Sequence, residues 1–97
     1  MTNLFDLSDD VAIVIGGTGV LGGALAEGLS RAGARVAVLG RNAGRGEARV
    51  KAIRESGGIA VFIPADASDR DGLEVARAAV TSEFGASTVL INLPLLS

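Results

Sequence analysis

The sequence predicts an α/β chain, half of a doubly wound parallel sheet built as βαβαβαβ in three layers, with strand order 3-2-1-4. Three observations carry this expectation. Four short apolar runs alternate with three segments of helical periodicity. Glycines stand at the joints between them. The first run is continuously apolar rather than alternating, as a parallel strand covered on both faces should be.

The elements follow in order. The first run, residues 11–15, reads VAIVI. Behind it Leu21, Leu25, Leu29 and Ala32 fall on one face at helical spacing, and Gly33 is placed to end that helix. A second apolar run covers residues 34–39, with Arg35 tolerated near the strand start. Residues 43–56 form a polar helix with Val50 and Ile53 on its inner side, stopped by Gly57 and Gly58. A third run, residues 59–63, ends at Pro64. Ser68 and Asp71, three residues apart, approach a capping box at the next helix start. Leu73, Ala76, Val80 and Phe84 supply that helix with an apolar stripe and Gly85 its stop. The fourth run spans residues 88–93. No linker or repeat interrupts the 97 residues, so a single partial domain over 1–97 is expected.

Composition narrows the function. Apolar residues make up 48% of the chain, enough for a packed core. Phe5, Phe62 and Phe84 are its aromatic side chains, so Val, Ile, Leu and Ala must fill that core. The formal charge of −2 is interspersed, without a basic run or aromatic platform suited to nucleic acid. Apolar stretches are strand-length, well short of the roughly 20 residues of a membrane span. The start MTNLFDLSDD is acidic where a secretory leader would be basic. Without Cys or His, disulfides and transition-metal sites are not expected, and a cytoplasmic protein is the default.

The joint between the first strand and first helix carries the functional signal. Gly17-Thr18-Gly19-Val20-Leu21-Gly22 fits G-x-G-x-x-G in a strand–turn–helix setting, as in a Rossmann-like dinucleotide-binding unit. Glycines there allow positive φ and a close approach of backbone to a pyrophosphate. The N–H groups and dipole of the following helix attract the anion. The alternative is a set of glycines serving a tight turn alone.

The residue after the second strand bears on cofactor choice. An NAD site offers Asp or Glu to the ribose hydroxyls there. This chain has Leu39-Gly40-Arg41-Asn42, with no carboxylate. Arg41 suits a 2′-phosphate, so NADP is favoured over NAD, and Arg45 stands close enough to share the role. The alternative is a solvated loop arginine.

Taken together these residues resemble the short-chain dehydrogenase/reductase family. The resemblance rests on residues 4–7 (LFDL), the segment VAIVIGGTGVLGGALA, Gly40-Arg41-Asn42 after the second strand, and Pro64-Ala65-Asp66 after the third. The form Gly-Gly-Thr-Gly-Val-Leu-Gly is most similar to members acting on sugar acids, the fructuronate and mannonate oxidoreductases. The resemblance implies that Gly16, Gly17, Thr18, Gly19, Val20, Leu21 and Gly22 hold the pyrophosphate and flanking riboses, Leu21 on the nicotinamide side. It implies that Asp66 accepts from the adenine amino group, assisted by the Ala67 backbone, an acceptor-only task suited to a carboxylate. A turn or capping role is the alternative for Asp66. Asn92 matches the first Asn of the family's Asn-Ala-Gly segment, or is a polar strand end.

Departures count as well. Ile15 stands where the family commonly has Thr, and Val20 where it commonly has Gly. After Asn92 the similarity stops at Leu93-Pro94. The family's catalytic Asn, Ser, Tyr and Lys have no counterpart here: the chain lacks Tyr, and Lys51 lies in the polar helix on the adenosine side. Asp66, Asp69 and Asp71 cluster, but a solvated helix start explains them more simply than acid/base or Mg²⁺ chemistry. The expectation is a family sequence truncated after its fourth strand, inactive alone. The other reading is a non-catalytic nucleotide-binding or oligomerising module. In either, Val89, Leu90, Ile91 and Leu93 lie on an open sheet edge, which favours a homo-oligomer, most simply a dimer.

Overall fold

A computed structural model of the chain describes residues 7–16, 20–66, 68–86 and 89–92. The elements run β1 (Val11–Ile15), α1 (Val20–Arg31), β2 (Arg35–Gly40), α2 (Ala43–Glu55), β3 (Ala60–Pro64), α3 (Arg70–Phe84) and β4 (Val89–Asn92). All strands pair in parallel, in the order β3-β2-β1-β4. The expected architecture and strand order are therefore observed. β2 and β3 each begin one residue later than the apolar runs suggest. Ile59 is left 56% exposed, its carbonyl accepting from the Val36 N–H at 2.9 Å.

Period-2 alternation along the central strands divides the core between two faces. Ala12, Val14, Val36, Val38 and Ala60 pack with Ala26, Val50 and Ile53 of α1 and α2. Val11, Ile13, Ile15, Ala37 and Leu39 pack with Ala76 and Val80 of α3. Helices thus cover both faces, and every residue of β1 is buried. Full burial of each Val, Leu or Ile contributes roughly 1.5–3 kcal/mol relative to exposure.

The buried face of α1 differs from the leucine stripe. Gly22, Gly23 and Ala26 are its buried residues, whereas Leu21 is 48% exposed and Leu25 and Leu29 are half-buried. Small residues against the sheet let the helix axis approach it, and the leucines flank that contact. The helix stops as expected at Gly33, whose φ of 107° favours glycine. A Cβ there would also lie 3.1 Å from the backbone nitrogen of Ser8. The inner face of α2 is formed by Gly46, Val50 and Ile53. The cap of α3 is Asp69 rather than Ser68: its Oδ1 accepts from the Gly72 N–H at 3.1 Å. Ser68, one residue before the cap, donates to Asp66, so the expected Ser68–Asp71 capping box is not the one that starts α3.

Candidate functional site

The C-terminal ends of all four strands meet at one edge of the sheet. Ile15 is in register with Leu39 on one side and Asn92 on the other, and Gly40 with Pro64. The pairing continues past the strands. Gly16 N–H donates to the Leu39 carbonyl at 2.8 Å, and Ala65 N–H donates to the Gly40 carbonyl at 2.9 Å. This brings Gly16, Arg41, Asp66 and the backbone of Asn92 to the same end, although 76 residues separate the first from the last.

Gly16 turns the chain out of β1 at φ 87°, a left-handed conformation that favours glycine. It is buried, as is Gly22 in the first turn of α1. Val20 opens the helix and is 83% exposed. Gly17, Thr18 and Gly19, and likewise Ala67, lie outside the described residues.

Past β2, Arg41 is exposed. Asn42 adopts φ −94° and ψ 99° and caps α2, its Oδ1 accepting from the Arg45 N–H at 3.0 Å. An Asn just ahead of a helix is a capping signal in its own right. The first turn of α2 carries no acid, and Arg41, Arg45 and Arg49 recur every four residues from its start.

Asp66 accepts two hydrogen bonds on Oδ1, from the Ser68 N–H at 2.9 Å and the Ser68 hydroxyl at 2.7 Å. The backbone bond, then the hydroxyl bond, hold its carboxyl below the ordinary 3.8, and the positive charge of Arg41 adds to them. Asp66 therefore shapes the β3–α3 turn, as one of its two expected roles requires. Lys51 is remote from this cluster: it pairs with Glu55 at 4.0 Å on the exposed side of α2. Among the described residues, no group of three His, Cys, Asp or Glu is arranged to hold a metal. No helix among them is long and apolar enough to cross a membrane.

Known proteins share this arrangement. Residues 10–93 match the model of the short chain dehydrogenase family. The chain belongs to that family. An uncharacterized oxidoreductase of Bacillus subtilis, UxuB, is 44% identical over 87 residues, covering 90% of this chain and 31% of that protein. A dehydrogenase/reductase from Sinorhizobium meliloti superposes with a TM-score of 0.88 at 36% identity, over 92% of this chain and 36% of its own. A metagenomic short-chain oxidoreductase, solved in complex with NADP, superposes with a TM-score of 0.82 at 32% identity, over 88% of this chain and 38% of its own. The chain thus spans about a third of the length of these short-chain dehydrogenases. Dinucleotide binding is consistent with that membership.

Proposed function

We propose that this chain is the dinucleotide-holding part of a short-chain dehydrogenase-type oxidoreductase, and that it takes NADP(H) in preference to NAD(H). The observation that carries the preference is Arg41. It is exposed immediately after β2, at the sheet end that also carries Gly16 and Asp66, in a segment Leu39-Gly40-Arg41-Asn42 that has no carboxylate of its own for a ribose 2′-hydroxyl. A guanidinium there forms charge-assisted bonds to a phosphate monoester.

The residues present fit such a cofactor. Left-handed Gly16 and buried Gly22, on either side of the β1–α1 turn, carry no side chain, and the start of α1 offers backbone N–H groups and a positive dipole end. In this reading Gly16 to Gly22 hold the pyrophosphate and its riboses. Arg41 and Asn42 flank the adenosine 2′-position, with Asn42 acting through the α2 cap it forms. Asp66 and Ala67 meet the adenine, and Asn92 lies toward the nicotinamide half. The bound nicotinamide would supply hydride chemistry. This chain has no Tyr to move the accompanying proton and is expected to turn over no carbonyl or alcohol substrate alone. The Gly-Gly-Thr-Gly-Val-Leu-Gly turn supports membership of the sugar-acid subgroup.

Fluorescence titration with NADPH and NADH tests the cofactor choice. NADPH should bind more tightly, and Arg41→Asp should reverse the order. Equal affinities before and after that replacement would remove Arg41 from the reading.

A second reading is supported by β4. Among the described residues it is the last strand of the sheet on its side, and Leu90 on it is 52% exposed. In this reading copies of the chain associate through that edge into a homodimer. Light scattering at micromolar concentration should show a dimer that Leu90→Glu dissociates. A folded monomer before and after the change would overturn it.

A further inference from the structure

Among the described residues, β3 ends the sheet on the side away from β4, so one row of its backbone groups has no neighbouring strand. The ladder to β2 fixes which groups those are. The Ile59 carbonyl accepts from the Val36 N–H at 2.9 Å, and the Ala65 N–H donates to the Gly40 carbonyl at 2.9 Å. The backbones of residues 59 and 65 therefore face β2. Alternation turns Val61 and Ile63 the same way, and Ala60, Phe62 and Pro64 outward. Two of those three outward positions are blunted. Arg54, near the end of α2, donates from Nε to the Ala60 carbonyl at 3.0 Å. Pro64 has no N–H to offer.

The strand behind that edge needs such protection. Residues 59–63 read IAVFI, an uncharged run of β-formers without Gly or Pro, the composition that pairs readily with copies of itself. Ile59 at its head is 56% exposed. We propose that Arg54 guards the free edge of β3, keeping β3 of another copy of this chain from pairing there. Its guanidinium occupies the Ala60 carbonyl, and because Arg54 is exposed it also sets a positive charge on the rim. The tight Gly57-Gly58 turn, with Gly57 at φ 93°, brings the last turn of α2 back to the strand that it blocks. A second copy must break the bond to Ala60 and strip water from the charge before its own strand can take that carbonyl. The role depends neither on a bound dinucleotide nor on the β4 edge.

The test follows the full chain under agitation by thioflavin T fluorescence and light scattering, at a temperature where melting curves show every variant folded. Wild type is compared with Arg54→Ala, Ile53→Val and the double variant Arg54→Ala/Ile59→Lys, and urea denaturation ranks their stabilities. Arg54→Ala should shorten the lag before fluorescence rises about tenfold, the factor expected for one lost charge-assisted hydrogen bond. Ile53 is 1% exposed, so Ile53→Val lowers stability with the edge intact. Its lag should stay within about twofold of wild type, because the rim charge that opposes edge pairing is unchanged. Ile59→Lys returns a charge to the rim without the bond, and should restore the lag of Arg54→Ala while leaving its stability lowered. An unchanged lag in Arg54→Ala would overturn the assignment. So would an equal shortening in Ile53→Val, which would trace the effect to lost stability, or a double variant that associates as fast as Arg54→Ala.

Discussion

Strands β1 and β4 lie side by side in one sheet, both short and apolar, and their fates differ. Ile13 of β1 is 0% exposed, while its register partner Leu90 of β4 is 52% exposed. Both residues face the same side of the sheet, because partners in a parallel ladder point the same way. Ile13 has a strand on either side and lies in the cluster that α3 covers, with Ala76 and Val80. Among the described residues, Leu90 has a strand on one side only. Burial of a parallel strand is set by what flanks and covers it, and an apolar run is permission for burial rather than a guarantee of it.

The largest effect should come from testing that difference directly. Ile13→Ala should destabilise the fold by about 2–5 kcal/mol, as for a buried side chain whose loss leaves a cavity. Leu90→Ala should cost less than about 1 kcal/mol, because its side chain is already half in water. Urea denaturation of both variants is the check. Similar losses would mean that something covers Leu90 in solution, which the homodimer reading requires.

A second contrast, smaller in size, sets two helical glycines against each other. A Cβ on Gly46 would overlap the ring of Phe62, whereas one on Gly28 meets nothing within 4 Å. Gly46→Ala should therefore destabilise by about 1–3 kcal/mol through overpacking between α2 and β3. Gly28→Ala should stabilise by roughly 0.5–1 kcal/mol through helix propensity alone. Opposite shifts in melting temperature would support the distinction. A gain from both would show that Phe62 moves aside freely.

The smallest expected effect lies in the turn after β3. The Asp66 carboxyl is held below its ordinary range by the N–H and hydroxyl of Ser68. A folded-state value lower than the unfolded one stabilises the fold above the unfolded value. That contribution is lost as pH falls through the lowered folded value. Ser68→Ala removes the hydroxyl bond and leaves the backbone one, so the Asp66 carboxyl should rise part of the way back toward 3.8. Carboxyl ¹³C shifts followed through an acid titration would show it. An unmoved midpoint would assign the whole lowering to the backbone bond and Arg41.

The chain's own order of residues determined the element sequence, the strand order and the position of the glycine turn. Continuous apolar runs mark strands covered on both faces, and Gly33, Gly57 and Gly85 all adopt the positive φ that ends a helix. Those signals are local, or follow from general rules for connecting parallel strands. What only the tertiary structure decided depends on distances across the fold. It placed Gly22, Gly23 and Ala26 of α1 against the sheet and left the leucines at the flanks, because close helix–sheet approach selects small residues over large ones. It made Asp69 the α3 cap and set Ser68 to donate to Asp66. It paired Arg49 with Glu27 and brought the charge of Arg41 to bear on the Asp66 carboxyl. Periodicity identifies which residues a helix or strand can offer, but the pairing of charges and the contact of faces require the third dimension, since partners far apart in the chain meet only once the sheet has formed.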